Sequence, residues 1–512
     1  MKYPYLLLFR YKKYSSQIDN FFVENEDKLN CSFFITHKKS DLNKFFDVNY
    51  NLLVTIGENE NDNANGTADD PINEYAEDIF SILPKRMNDR WLHFPISNLK
   101  EEFIIDYFNR RVNYCYLNYV TDKKAMCPEF SLFTTCYNSY DKIIRAYNSI
   151  KTQTLLDWEW VILDDSPNDE HFPFLKKALS HDKRIRLYKR SENNGNIGNV
   201  KNEAVSLCRG NYLLEMDHDD EILPTVLSDS VKIFEDDPEV GFIYMNFINI
   251  YEDGNNFKYG DFLALGYSGY YMEKYNDKWV YICISPNINN VSLSHIVSVP
   301  NHPRIWRKST LLSIGNYCEA LPILDDYELL VRTALNTKIV KLNTLGYVQY
   351  MNHNNNNFSL IRNSEINRII WDLKRVCYEN YKLDEYMVAI NAHEDPDYIY
   401  NHSQIWKRTN NYEYKFCNKN INLQYKKQYC ILGVKSFVDN LPKIRELYND
   451  KDTANDFILL ENTSNNESLC NLLDTHNFSR MKCYNMNDCS YEELEKYFHL
   501  IYKSCEDFEI FS

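Results

Sequence analysis

The 512-residue chain has no CxxC pair and no cysteine spacing that would build a zinc site, although its 14 cysteines are scattered from Cys31 to Cys505. That pattern argues against zinc modules and reads as reduced thiols, which suits a cytoplasmic protein. Long hydrophobic runs are missing too. Leu6–Phe9 is a short apolar stretch between Tyr5 and the basic cluster Arg10–Lys13, below the length of a signal-peptide core, and nothing later reaches transmembrane length. Any membrane contact is therefore expected to be peripheral. Basic charge is in deficit, with 57 Lys and Arg against 73 Asp and Glu for a net charge of -16. This argues against a nucleic-acid partner, since such binding rests on lysine and arginine neutralising phosphates. A mononucleotide that brings its own cation stays compatible. There is no long-period repeat, and Asn354–Asn357 is the one low-complexity patch of note.

What is present is the composition of a packed globular protein: 44% apolar residues and 15% aromatic, with Tyr (41) ahead of Phe (28). The length predicts about three domains. Residues 1–125 alternate candidate strands (Tyr5–Phe9, Cys31–Thr36, Asn51–Ile56, Trp91–Pro95) with helix-like stretches and close on Lys100–Tyr114; Glu58–Asp70 is a polar acidic loop. This unit is expected to be a small α/β domain without a chemical motif. Residues 366–512 alternate in the same way, through Tyr429–Val434, Leu441–Tyr448, Asp456–Leu460 and Glu492–Lys503, and predict an α/β or α-rich domain.

Between them, residues 126–365 read as strand, helix, strand in repeated order. Phe130–Thr135 is a buried-type strand and Tyr140–Gln153 carries Ile143, Tyr147 and Ile150 at helical spacing. Glu159–Leu163 is the next strand, stopped by Asp164-Asp165-Ser166-Pro167. Helix Gly198–Cys208, strand Tyr212–Met216, helix Pro224–Glu235 and strand Val240–Asn246 follow, and Asp253-Gly254 marks a hairpin within Phe247–Tyr259. The order predicts a parallel sheet with right-handed crossovers and an antiparallel addition.

The stretch GNYLLEMDHDDEILP, Gly210–Pro224, ends an apolar strand in Asp217, Asp219 and Asp220. Crowded carboxylates repel and desolvate badly, and a hard divalent cation removes that penalty while leaving coordination positions for substrate phosphates. Ligands in open parallel sheets bind beyond the carboxyl ends of the strands. Thr134–Asn138, Asp164–Ser166 and Asp217–Asp220 all fall at such ends.

Taken in order, these segments resemble the inverting family 2 glycosyltransferases. FSLFTTCYNSYDKIIRAYNSIKTQTLLDWEWVILDDSPND resembles that family's opening strand, helix and double-aspartate turn, and NNGNIGNVKNEAVSLCRGNYLLEMDHDD resembles its middle up to the metal-binding motif. The likeness covers about residues 128–360. It implies a GT-A-type nucleotide-binding mixed sheet flanked by helices, with further small α/β domains at both termini. It also implies a nucleotide-diphospho-sugar donor and Mn²⁺ or Mg²⁺. By position, Thr135, Tyr137 and Asp165 would hold base and ribose, and Asp217 would lie nearer the ribose. Asp219 or Asp220 would reach the cation, with His353 touching the metal or the diphosphate. Lys201 stands where the family commonly has arginine, keeping the charge without the forked geometry. In LPILDDYELLVRTAL, Asp325-Asp326 resembles the acidic pair that supplies the base, with Asp326 ahead of Asp325. His302 and Arg304 fall on the expected acceptor side.

Local sequence offers plainer readings of the same residues. Asp325 followed by Glu328 matches an N-cap with its capping-box partner. Asp164-Asp165 before Ser-Pro matches a turn, and Lys201 on a helix matches a solvated charge. The expected activity is transfer of a sugar from a nucleotide diphosphate, most simply UDP, to a hydroxyl of a glycan, protein or lipid. The Tyr- and Asn-rich stretch Gly260–Pro300 is expected to supply acceptor contacts. A binding protein without turnover is the alternative. A sugar nucleotidyltransferase is disfavoured because the loop TTCYNS lacks the glycines of a phosphate loop.

Overall fold

A computed structural model of the chain describes residues 3–10, 15–36, 52–57, 91–95, 104–121, 127–193, 195–258, 270–286, 288–295, 300–351, 361–390, 393, 419–421, 427–450, 455–461, 465–485 and 508–512. Glu58–Asp70, His353, the asparagine run after it and Glu492–Lys503 lie outside these residues.

The first unit comprises β1 (Tyr3–Arg10), α1 (Ser15–Glu24), β2 (Cys31–Thr36), β3 (Leu52–Gly57), β4 (Trp91–Pro95) and α2 (Ile104–Thr121). Its strands form a parallel sheet in the order β2-β1-β3-β4. Ile104, Phe108 and Val112, four residues apart on α2, pack with Phe22 of α1 against Cys31, Leu52 and Val54. The helix begins four residues after the expected start and continues to Thr121.

The second unit follows as β5 (Phe130–Cys136), α3 (Lys142–Lys151), β6 (Trp158–Asp164), α4 (His171–Leu179), β7 (Ile185–Lys189), α5 (Ile197–Leu207), β8 (Tyr212–Glu215), β9 (Glu221–Ile222), α6 (Val226–Asp236), β10 (Val240–Tyr251) and β11 (Asn256–Phe257). Then come β12 (Tyr270–Tyr275), β13 (Lys278–Cys283), α7 (Asn290–His295), β14 (Arg304–Arg307), α8 (Lys308–Ser313), α9 (Asp325–Asn336), β15 (Lys338–Met351), α10 (Asn363–Glu379) and α11 (Leu383–Ala389). Strands β7-β6-β5-β8 are parallel neighbours, β14 inserts antiparallel between β8 and β10, and β15 runs parallel to β10. Both sheet faces are covered. Phe130 and Leu132 of β5 enter one core with Ile143, Tyr147 and Ile150 of α3, while Phe133 enters the opposite core with Val200 and Ala204 of α5. This two-residue alternation explains why the strand is buried along its length except at Thr135. The expected hairpin is present as β10 against β11, turning through Gly254 at φ 79°.

The last elements are β16 (Lys419–Ile421), β17 (Lys427–Leu432), α12 (Gly433–Asp439), α13 (Leu441–Asn449), β18 (Asn455–Glu461), α14 (Asn466–Thr475), β19 (Lys482–Asn485) and β20 (Phe508–Phe511). Strands β20-β17-β18-β19 are parallel and continue the central sheet through the hairpin β12–β13. That hairpin turns at Asn276 and Asp277, both left-handed, as a two-residue turn of this type requires. The connection is thin in hydrogen bonds, with Met272 opposite Cys483 and Phe247 opposite Cys283, but shares a core of Ile248, Ile250, Tyr271, Ile282, Cys430 and Ile458. The whole is the expected mixed α/β architecture with a large central sheet. Among the described residues no helix is long and apolar enough to cross a membrane.

Candidate active site

The chain moves from β5 outward to β6 and β7, then returns to place β8 on the other side of β5. Such a reversal leaves a crevice at the carboxyl ends of β5 and β8. Thr134 closes its floor, donating to the Met216 carbonyl at 2.6 Å and accepting from Trp160 Nε1 at 2.8 Å. Above lies a cleft of about 1000 Å³. Thr135, Tyr137, Asp165, Lys201, Asp217, Asp219, Asp220, His302, Arg304, Asp325 and Asp326 all line it. His353 lies outside the described residues.

On one side, Tyr137 is 54% exposed, and an exposed aromatic ring can stack on a flat ligand. Asp165 is held by Arg190 Nη1 at 3.0 Å and Asn193 Nδ2 at 2.7 Å. Burial pushes its carboxyl up, Arg190 opposes this, and the balance is upward.

The acidic turn after β8 is braced by tyrosines. The Asp217 N–H donates to Tyr347 Oη at 3.2 Å, and the Tyr350 N–H donates to Asp220 Oδ1 at 2.8 Å. Asp220 is buried, and this burial, with Asp219 and Asp217 beside it, drives its carboxyl well above the ordinary range. Asp219 is more open. Its Oδ2 stands 3.5 Å from Lys142 Nζ, while its carbonyl accepts from Arg145 Nε at 2.8 Å. The Arg145 guanidinium in turn lies 3.4 Å from the Tyr350 ring centroid. A desolvated, mutually repelling carboxylate group of this kind favours a divalent cation. Among the described residues Asp217, Asp219 and Asp220 do not form a trio with ligand atoms all within 4.8 Å; Cys136, Asp164 and His171 do.

On the far side, Leu324 adopts a left-handed conformation (φ 71°) immediately before α9, a strained arrangement for a branched residue. The capping box does not form. Asp325 is the first helical residue and makes no side-chain cap, and Glu328 instead pairs with Arg332 at 2.6 Å. Asp325 is buried and reaches Lys201 Nζ at 3.1 Å; Asp326 is 28% exposed toward the cleft, its Oδ2 3.1 Å from Arg304 Nη2.

The residue joining the two sides is Glu215. Its Oε1 lies 2.8 Å from Lys201 Nζ, and its Oε2 lies 3.5 Å from both Arg304 Nη1 and His302 Nε2. Lys201 is thus shared between Glu215 and Asp325, and Arg304 between Glu215 and Asp326. His302 Nδ1 continues the chain to Asp217 Oδ2 at 3.8 Å. Burial pushes the Glu215 carboxyl up, but Lys201, His302 and Arg304 outweigh it and hold it well below the ordinary range. Burial likewise disfavours charge on Lys201, and Asp325 and Glu215 more than compensate, so its ammonium is held charged.

Sequence reasoning did not single out Glu215, Lys142, Arg145, Tyr347 or Tyr350. For Glu215 a signal existed: a glutamate closing the apolar strand YLLE is tolerated in a core only when paired. The stretch expected to supply acceptor contacts behaves differently. No described residue between 260 and 300 lines the cleft, and 270–283 form the hairpin toward the last strands.

Residues 131–293 match the profile described as Glycosyl transferase family 2. Chondroitin synthase of Pasteurella multocida (strain Pm70) is 24% identical over 277 residues, 54% of this chain and 26% of that protein. Chondroitin synthase of Escherichia coli is 32% identical over 128 residues, 25% of this chain and 18% of that one. The chain thus spans about a quarter or less of either synthase. Among solved structures, S. aureus TarS 1-349 in complex with UDP superposes with a TM-score of 0.38 at 18% identity, covering 51% of this chain and 70% of that one.

Proposed function

We propose that this chain, which carries a glycosyl transferase family 2 domain at residues 131–293, is a metal-dependent inverting glycosyltransferase using a nucleotide-diphosphate sugar, UDP-linked in the simplest case. The observation carrying the reading is that the acids ending β8 and the Asp325-Asp326 pair opening α9 face one cleft at the sheet's reversal point. Asp219 and Asp220, with His353 by resemblance, would hold Mn²⁺ or Mg²⁺. The burial that raises the Asp220 carboxyl supports that fit, because a cation relieves it. When bound, the ion would neutralise charge on the departing diphosphate.

Thr135, Tyr137 and Asp165 hold the nucleoside, with Asp217 toward the ribose. Asp326 accepts the proton of the acceptor hydroxyl, whose oxygen forms a bond to the anomeric carbon as the bond to diphosphate breaks on the opposite face. Arg304 orients Asp326, and Lys201 fixes Asp325 rather than reaching the donor. Two relatives bear the name chondroitin synthase, and that likeness supports a glycan ahead of protein and lipid as the acceptor to test. The flanking units would recruit that acceptor. A screen of nucleotide sugars with Mn²⁺, following donor hydrolysis and transfer, tests the reading. Failure of the wild-type protein to bind any nucleotide with or without Mn²⁺ would overturn it.

A further inference from the structure

Behind the cleft, Cys136, Asp164 and His171 bring a thiol, a carboxylate and an imidazole within 4.8 Å of one another, all three buried. By ligand type the trio suits zinc. The hydrogen bonds commit it elsewhere. His171 Nε2 faces the backbone N–H groups of Ser139 at 3.0 Å and Tyr140 at 3.2 Å, and stands 2.9 Å from Ser139 Oγ. Nδ1 stands 2.8 Å from Asp164 Oδ1 and 3.0 Å from Ser166 Oγ. A nitrogen facing two N–H donors must be the acceptor, so the ring proton sits on Nδ1, directed at Asp164. Neither nitrogen keeps a lone pair for an ion.

We propose that His171 is a positioning residue for the nucleotide, tying together the two loops that carry Tyr137 and Asp165 into the cleft. This rests on the reading of the cleft as a nucleotide site. The loop after β5 needs such a tie, because Asn138 (φ 50°) and Tyr140 (φ 40°) are both left-handed and neither is glycine. Strain of this kind persists only where surrounding contacts over-determine it. Here the contacts converge from His171. It receives the two N–H groups, and Ser166 Oγ beside it accepts the Asn138 N–H at 2.8 Å. The Asp164 carboxylate under it accepts the Ser166 N–H at 3.0 Å, while the Asp165 N–H donates back to the Cys136 carbonyl at 2.9 Å. Among the described residues Asp164 Oδ2 is buried without a hydrogen-bond partner, so Oδ1 carries the anchoring of that carboxylate.

The test compares the wild-type chain with His171→Gln, whose amide oxygen can accept the loop N–H groups, and His171→Phe, which fills the space and accepts nothing. Calorimetry with UDP and Mn²⁺ is expected to show the Phe variant weakened about tenfold or more and the Gln variant within about threefold. Amide exchange at Ser139 and Tyr140 should be slow in wild type and fast in the Phe variant. In transfer assays the Phe variant should raise donor KM with little change in kcat. Wild-type affinity in the Phe variant, or unprotected Ser139 and Tyr140 amides in the wild type, would overturn the proposal. The second measurement stands even if the Phe variant does not fold. Stoichiometric zinc in the purified protein, whose removal frees the loop, would overturn it in favour of a metal site. A wild type that binds no nucleotide would instead sink the reading of the cleft itself, and this role with it.

Discussion

Glu215→Gln preserves shape and removes one buried charge from the centre of the site. Coulomb attraction to Lys201 at 2.8 Å amounts to about 6 kcal/mol at an effective dielectric of about 20. The neutral amide no longer suffers desolvation as an ion, which returns part of that. Both cations also keep a second partner, Lys201 with Asp325 and Arg304 with Asp326, each at 3.1 Å. The net loss therefore falls at the lower end of the range for breaking a buried pair, about 3 kcal/mol. For a unit of this size that is a fall in Tm of about 6–12 °C at pH 7. The pH dependence has a definite sign. Burial raises the Glu215 carboxyl but Lys201, His302 and Arg304 hold it well below the ordinary value. Its contribution is thus complete above the unfolded glutamate value of about 4.3 and is lost as pH falls through the lower folded value. Melting curves of the two proteins should converge only under strongly acidic conditions. A variant melting within about 2 °C of wild type at pH 7 would refute the idea that Glu215 holds the two cations in place.

Asp326→Asn should keep Mn²⁺-supported UDP binding in calorimetry and lower kcat about 10²–10⁴-fold; full transfer would reject Asp326 as the base. Asp220→Asn should remove a pH dependence. Burial with Asp219 and Asp217 raises the Asp220 carboxyl, so its contribution is full below the unfolded value of about 3.9 and lost as pH rises through the folded one. In chelator the wild type should lose Tm over that rise and the Asn variant should not, while Mn²⁺ should stabilise the wild type alone. Gly210→Ala places a Cβ 2.6 Å from Ser131 N, and the shift in urea midpoint should correspond to about 1–3 kcal/mol.

Elements with strong periodicity are legible in the amino-acid order itself. β2 and β4 have the expected bounds, and β5, β6, α3 and α5 differ by a residue or two. The strand-end acids are legible because an apolar run ending in carboxylates has few other uses. The rest depends on neighbours distant in sequence. β14 is only RIWR, with a charge at each end, and it is a strand because Arg304 meets Glu215 across the ladder and Trp306 enters the core. Lys201 follows the local rule for a solvated helix charge until β8 supplies Glu215 and α9 supplies Asp325. Asp325 likewise leaves its capping role because Lys201 offers a stronger partner. The stretch around Asn276-Asp277, expected to supply acceptor contacts, is instead a hairpin because β19 and β10 provide the edges it joins.

The insertion of β14 between β8 and β10 separates the matched stretch from the smallest foldable unit. The profile match stops at residue 293, ahead of Arg304, Asp325, Asp326 and the whole of β15. A fragment trimmed to the matched residues would carry the acids after β8 but leave two bare sheet edges where β14 belongs, an invitation to intermolecular pairing. The smallest piece able to stand alone must reach at least through β15, so the matched segment is a part of the folded unit rather than the whole of it.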